Sequence, residues 1–185
     1  SLFNSFSNNE LESVGGSIAS RGPDYQGVYS DERVGLVHRR LKIIDLSDDA
    51  NQPMLSDDGR YVMVYNGEVY NYDDIRRDQQ IPVKTSSDTE IVFKTLISDG
   101  IDAVETYNGM FAIAFYDTKE KKMLLIRDRM GVKPLYYFWD GTNFAFASEI
   151  KALLEFPFIK KNKSINYTAL NEFLHLGYTG IEGTI

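Results

Sequence analysis

The 185-residue chain contains no cysteine, only two histidines and a single tryptophan. The absence of cysteine excludes a disulfide framework and a cysteine-ligated metal site within these residues. The histidines, His38 and His175, stand far apart, and neither a His-Glu-x-x-His nor a Gly-x-Ser-x-Gly motif is present. The residue types therefore favour neither a histidine-ligated zinc site nor a Ser-His-Asp hydrolase.

Basic clusters and long apolar runs are also scarce. The formal net charge is −7, and the densest basic run, at 119–122, is interrupted by Glu120. This balance argues against nucleic acid and against an anionic membrane as partners. No apolar run approaches the roughly 18 residues of a membrane span, and no signal peptide opens the chain. We therefore expect a soluble, cytoplasmic protein. No metal site is expected either, because the acidic residues at 45–49 are more typical of a solvated loop.

What is present is typical of a globular domain, with 43% hydrophobic and 25% charged residues. Apolar periodicity and turn signals predict helices followed by strands in hairpins, which is the α+β class with a largely antiparallel core. Ser87 and Glu90 have the spacing of a capping box for a helix that begins at Asp88. The predicted elements are a helix over 8–19, strands over 34–38 and 41–45, a strand on each side of an Asn66-Gly67 turn, helices over 88–98 and 101–107, hairpins over 110–128 and 134–148, and helices near 149–155 and 167–175.

Polar residues beside these apolar segments suit the recognition of an amino acid. A fixed cation, Arg40, matches an α-carboxylate, and two carboxylates, Glu68 and Asp88, match an α-ammonium group. Asn66 and the backbone N–H of Gly67 could polarise a side-chain carbonyl. Each residue also has a structural alternative. Arg40 suits a surface, Asp88 suits the first turn of a helix, Glu68 suits a solvated hairpin position, and Asn66-Gly67 suits a tight turn.

Eight short segments occur in one order between Arg21 and Leu154: RGPD, HRRLKIIDLS, NQPM, YNGEVYNYDDIR, SSDTE, NGMFAIAFYD, RDRMGVKPLYY and FASEIKALL. Together they resemble the glutaminase domain of class II glutamine amidotransferases, in the asparagine synthetase branch. The resemblance covers roughly residues 20 to 180. Any one segment is a weak signal, but eight in register are highly specific.

The resemblance implies an N-terminal-nucleophile hydrolase fold, a four-layer αββα sandwich of two antiparallel sheets. It implies hydrolysis of glutamine to glutamate and ammonia, with the ammonia passed to a separate ATP-using synthetase domain for asparagine biosynthesis. We expect a glutaminase domain at 1–175 and, at 176–185, the start of a linker to that domain, whose Ser-Gly-Gly-x-Asp-Ser motif is not in the chain. No cofactor is expected in the glutaminase domain, and ATP and Mg²⁺ belong to the synthetase domain.

The resemblance also assigns roles residue by residue. Asn66 and Gly67 match the oxyanion hole, so that pair is expected to be both a turn and a catalytic element. Arg40 matches the arginine that holds the glutamine α-carboxylate, and Glu68 and Asp88 match the acids that hold the α-ammonium. The remaining matches are Ile43 and Ile44, whose backbone groups line the pocket, and Arg21 and Asn71, which support the nucleophile.

The chain departs from the family at the nucleophile, which is a cysteine at the mature N-terminus with its own α-amino group as base. Here the first residues are SLFNSFSNNE. Three explanations remain open. The start has been trimmed or altered, the protein has lost its nucleophile and acts as a glutamine-binding or scaffold domain, or Ser1 is the nucleophile. The segment between Tyr72 and Ser87 is also short for the family.

Overall fold

The computed structural model describes residues 8–42 and 47–180, which form six α-helices and eight strands. The helices are α1 (Asn8–Ser17), α2 (Tyr72–Asp78), α3 (Asp88–Asp99), α4 (Ile150–Leu153), α5 (Pro157–Asn162) and α6 (Tyr167–Leu176). The strands are β1 (Tyr25–Ser30), β2 (Gly35–Arg40), β3 (Met54–Leu55), β4 (Tyr61–Val69), β5 (Gly109–Asp117), β6 (Lys122–Arg127), β7 (Tyr136–Trp139) and β8 (Phe144–Ala147). A 3-10 helix, Gly100–Thr106, joins α3 to β5.

The centre of the fold is a four-stranded antiparallel sheet in the order β3-β4-β5-β6. Strands β4 and β5 pair over their whole length, from Tyr61 opposite Asp117 to Val69 opposite Gly109. The predicted turn at Asn66-Gly67 is therefore wrong, because both residues lie inside β4, opposite Ala112 and Phe111. Nine residues of pairing with β5 override the local preference of Asn-Gly for a hairpin.

The two faces of β4 pack against different layers, because successive side chains of a strand alternate. On one face, Met63, Tyr65 and Val69 join a core cluster with Ile91 and other residues of α3. On the other face, the partners come from β2 and β8, and the cluster contains Leu36, Val62, Val64, Tyr116 and Phe146. The central sheet is thus covered by helices on one side and by the ladders β1–β2 and β7–β8 on the other.

Helices α1 and α4 cover the outside of this second strand layer. Helix α1 contacts β1, β2 and α4, and α4 contacts β7 and β8. The order helix, sheet, strand layer, helix confirms the predicted α+β class and the four-layer arrangement. All the described ladders are antiparallel, and the second layer consists of two separate two-stranded ladders.

Most local predictions are confirmed with shifted ends, and some elements were not predicted. Helices α1, α3, α4 and α6 and the hairpins β5–β6 and β7–β8 follow the sequence pattern. The β7–β8 turn contains Gly141 at a φ of +91°, a conformation that glycine adopts easily. Helices α2 and α5 and strands β1 and β3 were missed, and the helix predicted over 101–107 is the 3-10 helix Gly100–Thr106. The strand predicted over 41–45 is not found at Leu41 and Lys42, and its remainder lies outside the described residues.

The capping box is half right. Ser87 caps α3, since its hydroxyl accepts a hydrogen bond from the N–H of Thr89. Glu90 does not reach back to Ser87. Its carboxylate accepts hydrogen bonds from the N–H groups of Lys84 and Thr85, because the loop before α3 folds over the helix.

No helix within the described ranges has the length and the apolar composition that crossing a membrane requires.

Candidate functional site

The edge of β4 that faces away from β5 is mostly without a strand neighbour. Strand β3 pairs only with Val62 and Met63, so β4 continues beyond it. Further along this edge of β4, side chains accept the hydrogen bonds that a neighbouring strand would otherwise accept. The N–H of Tyr65 donates to Oε1 of Gln52 at 2.6 Å, and the N–H of Val69 donates to Oδ2 of Asp88 at 3.0 Å. The backbone N–H groups of residues 65 and 69 therefore both have hydrogen-bond acceptors along this edge.

Gly67 lies between those two positions, and its N–H points to the same edge. The direction follows from its partner Phe111, whose N–H donates to Asp128 Oδ2 at 3.2 Å and whose carbonyl accepts from the Asp128 N–H at 2.8 Å. Phe111 thus uses its backbone groups on the β6 side, and Gly67–Phe111 is a non-hydrogen-bonded pair of the ladder. Within 8–42 and 47–180 the N–H of Gly67 has no hydrogen-bond acceptor.

Asn66 presents a second donor without an acceptor close to the first. Its side-chain Nδ2 is buried and makes no hydrogen bond in the described part of the chain. Asn66 lines a cavity of about 140 Å³ between the central sheet and the second strand layer. A buried unsatisfied donor is costly and uncommon in proteins, and it calls for an explanation. Two donors without acceptors on consecutive residues are an arrangement that can stabilise an oxyanion.

Asp88 lies at the same edge and is almost completely buried, with 4% of its surface exposed. Its Oδ2 accepts from the Tyr65 hydroxyl at 2.6 Å as well as from the N–H of Val69. Glu68 is half-buried on β4. Burial, followed by the charges of Asp88 and Glu68, raises the pKa of Tyr65 well above its ordinary value, so its hydroxyl remains a donor. Asp88 is therefore placed at the edge of β4 by its hydrogen bonds, and Glu68 lies on the same strand next to Gly67.

Arg40 ends β2 and is 8% exposed. Its Nη1 donates to the carbonyl of Ser47 at 2.7 Å and to Oδ1 of Asn51 at 2.8 Å. The next residue, Gln52, is the one that satisfies the N–H of Tyr65. Arg40 is thus neither a surface residue nor isolated, since it fixes the loop that reaches the open edge of β4.

The other predicted site residues lie further from this edge or outside the described residues. Arg21 lines the same cavity as Asn66 and pairs with Glu149 at 3.1 Å. Asn71 uses both ends of its side chain on the backbone before β5, accepting from the N–H of Asn108 and donating to the carbonyl of Thr106. Ile43 and Ile44 lie outside the described residues.

Three residues at the edge were not predicted from the sequence. Gln52 accepts from the N–H of Tyr65, and the Tyr65 hydroxyl donates to Asp88, which in turn accepts from the N–H of Val69. His38 contacts the carbonyl of Tyr65 through Nε2 at 3.2 Å. All three lie in segments that carry the resemblance, since NQPM contains Gln52, HRRLKIIDLS begins with His38 and YNGEVYNYDDIR begins with Tyr65. Within the two described ranges, no group of three His, Asp or Glu residues is placed to hold a metal ion.

Comparison with known proteins gives one family match and many curated relatives. Residues 2–185 match the family model described as a glutamine amidotransferase domain. The chain is 36% identical over 187 residues to a protein provisionally named asparagine synthetase [glutamine-hydrolyzing] 2 of Methanocaldococcus jannaschii, with 91% of this chain and 36% of that protein covered. It is 36% identical over 173 residues to asparagine synthetase [glutamine-hydrolyzing] 3 of Bacillus subtilis, with 91% and 28% covered. The chain thus spans about a third or less of the length of these relatives.

A solved structure of similar fold is the glutamine phosphoribosylpyrophosphate amidotransferase of Bacillus subtilis complexed with ADP and GMP. The TM-score is 0.55, and the similarity covers 64% of this chain and 28% of that one. At 22% sequence identity this likeness bears on the fold alone, and it agrees with the fold that the sequence resemblance predicts.

Proposed function

The chain belongs to the glutamine amidotransferase domain family, and from that premise we propose that it binds glutamine and forms the glutaminase domain of an asparagine-synthetase-like amidotransferase. Its reaction is the hydrolysis of the glutamine side-chain amide to glutamate and ammonia. The alternative within the same fold is a glutamine-binding or scaffold domain without catalytic activity.

The main support for this proposal is that Asn66 and Gly67 each have a hydrogen-bond donor without an acceptor among the described residues. The N–H of Gly67 points out of the open edge of β4, and Asn66 Nδ2 is buried without an acceptor among the described residues. An amide oxygen placed between them gains both hydrogen bonds. These bonds strengthen as the oxygen acquires negative charge in a tetrahedral intermediate.

Charged residues around this edge suit the other end of glutamine. Glu68 and Asp88 supply negative charge for the α-ammonium group, and Arg40 supplies positive charge for the α-carboxylate. Support comes from their placement, because Asp88 is bonded to Val69 on the edge and Arg40 is bonded to the loop next to Gln52. In this proposal the backbone of Ile43 and Ile44 completes the pocket, and Arg21 and Asn71 support it.

The nucleophile decides between the enzyme and the alternative. In the family the resemblance points to, a cysteine thiolate attacks the amide carbon and ammonia leaves. Water then hydrolyses the glutamyl thioester. These 185 residues contain no cysteine, so they cannot supply that thiolate. A trimmed or altered start, a lost nucleophile and a hydroxyl nucleophile are all consistent with this sequence. Ser1 remains the candidate for a hydroxyl nucleophile.

The proposal for the intact protein is broader. We place the glutaminase domain at 1–175 and the start of a linker at 176–185. The linker leads to a synthetase domain that uses ATP and Mg²⁺ and receives the ammonia for asparagine biosynthesis in the cytoplasm. Nucleic acid and membranes are not among the proposed partners.

Calorimetry with glutamine, combined with an assay for released glutamate on the same sample, tests the proposal. Binding with hydrolysis supports the enzyme with a nucleophile other than cysteine, either Ser1 or a group exposed after processing. Binding without hydrolysis supports an intact pocket that lacks its nucleophile. If glutamine neither binds nor reacts, the scaffold alternative replaces the glutaminase assignment.

A further inference from the structure

His38 takes the place of a neighbouring strand beside Gly67. Its Nε2 lies 3.2 Å from the carbonyl oxygen of Tyr65. In a strand, the carbonyl of residue 65 and the N–H of residue 67 point to the same edge. A paired strand would satisfy both groups, whereas here the ring satisfies the carbonyl and leaves the N–H of Gly67 exposed to a ligand.

The contact with Tyr65 fixes which nitrogen of His38 carries the proton. A carbonyl oxygen only accepts, so Nε2 is the N–H donor of this pair. Burial is the main cause that lowers the pKa of His38, to about 4. The charge of Arg40 acts in the same direction, and the hydrogen bond to Tyr65 acts against it. The ring is therefore neutral near pH 7, and Nδ1 carries a lone pair and no proton.

Nδ1 of His38 is buried and has no partner among the described residues. His38 and Asn66 line the same cavity together with Arg21 and Arg39, and its apolar walls include Val37 and Phe146. A residue that lines the cavity, His38, thus carries an unpaired acceptor, Nδ1, and touches the peptide that precedes Asn66. Unpaired donors come from Asn66 and, at the edge, from Gly67, and Nε of Arg39 is a further buried donor on a lining residue. An apolar surrounding makes each of these groups costly to leave unpaired.

A primary carboxamide is complementary to one acceptor beside two donors, because its oxygen accepts and its NH₂ donates. A carboxylate is not, because neither of its oxygens donates when it is ionised. We propose that His38 is a specificity-determining residue whose Nδ1 accepts a hydrogen bond from the NH₂ of the substrate carboxamide while Asn66 and Gly67 bind its oxygen. This inference rests on the proposed function and adds to it the means by which the site prefers glutamine to glutamate.

The same contact acts against the product. When the NH₂ group is replaced by an oxygen, the Nδ1 lone pair faces a second lone pair, and a favourable contact becomes a repulsive one. A site built to bond an N–H group rejects an analogue that lacks it. His38 thus favours the amide in the complex and disfavours the carboxylate that hydrolysis leaves behind.

Two substitutions separate the nitrogens of the ring. His38→Gln places an amide near the position of Nε2, so it retains the contact with Tyr65 and removes the acceptor at Nδ1. His38→Asn places an amide near the position of Nδ1, so it retains an acceptor there and loses the contact with Tyr65. His175→Gln is the matched control, since His175 is exposed on α6 and hydrogen-bonds within its own helix, to the carbonyl of Asn171.

The measurement is the ratio of glutamate to glutamine dissociation constants, determined by calorimetry for the four proteins. We expect His38→Gln to reduce this ratio by about tenfold, which is the effect of one buried hydrogen bond. His38→Asn should retain most of the preference, and His175→Gln should retain all of it. A ratio in His38→Gln equal to that of the unsubstituted chain overturns the inference and leaves the proposed function standing. If the unsubstituted chain binds neither ligand, the proposed function fails, and the inference fails with it.

The ¹⁵N resonance of His38 Nδ1 gives a second readout, in the unsubstituted chain, that does not depend on whether a variant folds. An unprotonated Nδ1 should shift upfield when glutamine binds, because it then accepts a hydrogen bond. It should not shift in this direction with glutamate. An Nδ1 resonance that is the same with and without saturating glutamine contradicts the proposed contact.

Discussion

The hydroxyl of Tyr65 donates a 2.6 Å hydrogen bond to Oδ2 of Asp88, joining the centre of β4 to the first turn of α3. The same carboxylate oxygen accepts from the N–H of Val69 at the end of β4. Asp88 therefore fixes α3 to β4, and this structural role is independent of any contact with a ligand. The position of the negatively charged Asp88 in the candidate site is thus set by the buried Tyr65 rather than by the loop that precedes α3.

Tyr65→Phe should lower the free energy of unfolding by about 1–3 kcal/mol, because it leaves a buried carboxylate with one donor fewer. Urea unfolding measures the change. Tyr70→Phe is the control, since Tyr70 follows shortly after on the same segment and is 55% exposed, and surface substitutions usually change stability by less than about 0.5 kcal/mol. Equal effects of the two substitutions would show that the Tyr65–Asp88 bond does not hold α3 in place.

The sequence predicts α3 well because its signals are local. Ser87 is a good cap, the apolar positions repeat with helical period, and Gly100 follows the helix. The Glu90 half of the capping box could not be predicted, because the carboxylate is used by Lys84 and Thr85 in a loop that returns over the helix. A short-range pattern does not show which of several nearby N–H groups will reach a side chain.

The prediction of a turn at Asn66-Gly67 is wrong for a related reason. The pair carries a strong turn signal, yet it lies in the middle of a nine-residue strand because β5 pairs with it throughout. Its chemical role was proposed from resemblance. The open edge that exposes the N–H of Gly67 became apparent only from Phe111, Asp128 and the short length of β3. Such contacts are set by tertiary structure, which the local sequence does not encode.

Gly67→Ala should destabilise the protein and abolish glutamine binding. A Cβ at this position would lie 2.3 Å from the carbonyl oxygen of Met110 and 2.7 Å from Cα of Phe111, so β4 and β5 would have to separate. We expect a loss of about 1–3 kcal/mol in the free energy of unfolding, which is typical of overpacking.

Gly16→Ala is the matched control for this substitution and should have the opposite sign. Gly16 lies in α1, and a Cβ added there would meet no atom within 4 Å beyond the backbone of its own helix. Alanine is favoured over glycine in a helix by about 0.5–1 kcal/mol. Thermal or urea unfolding of the two variants checks both signs. A stable Gly67→Ala variant that retains glutamine binding would contradict the close approach of β4 and β5 at this point.

The ion pair of Arg60 and Asp117 predicts how stability changes in acid. Hydrogen bonds from the Arg60 guanidinium, at 2.7 Å for the shortest, lower the pKa of Asp117 from 3.8 to about 2. A carboxyl group whose pKa is lowered by folding stabilises the protein above its unfolded pKa. That contribution is lost as the pH falls through the folded pKa.

Asp117→Asn should therefore differ most from the unsubstituted chain above about pH 4, and the difference should shrink between about pH 4 and pH 2. Urea unfolding at a series of pH values measures it, with the exposed Asp102→Asn as control. A difference that stays constant across this range would mean that the ionisation of Asp117 is not linked to folding.

Arg40→Lys should weaken glutamine binding by about tenfold or more, because an ammonium group cannot reproduce the planar fork of a guanidinium. The substitution also disturbs the bonds to Ser47 and Asn51, so stability should fall slightly as well. Calorimetry with glutamine tests the first effect, with the exposed Arg129→Lys as control. Unchanged affinity would place the α-carboxylate elsewhere in the pocket.

Asn66→Ala separates stability from function most clearly. Because Asn66 Nδ2 is buried without an acceptor in the described part of the chain, removing it also removes an unsatisfied donor. We therefore expect the free energy of unfolding to stay the same or to rise. Active sites commonly retain such groups at a cost in stability.

The functional effect of Asn66→Ala is best measured in a version of the chain whose first residue is cysteine. Loss of one oxyanion donor should lower glutaminase turnover there by about 10²–10³-fold. A stable variant with this loss of turnover fits a donor retained for the reaction. A variant that is less stable but fully active would mean that Asn66 serves the packing between the layers, and the oxyanion hole would have to be assigned to other groups.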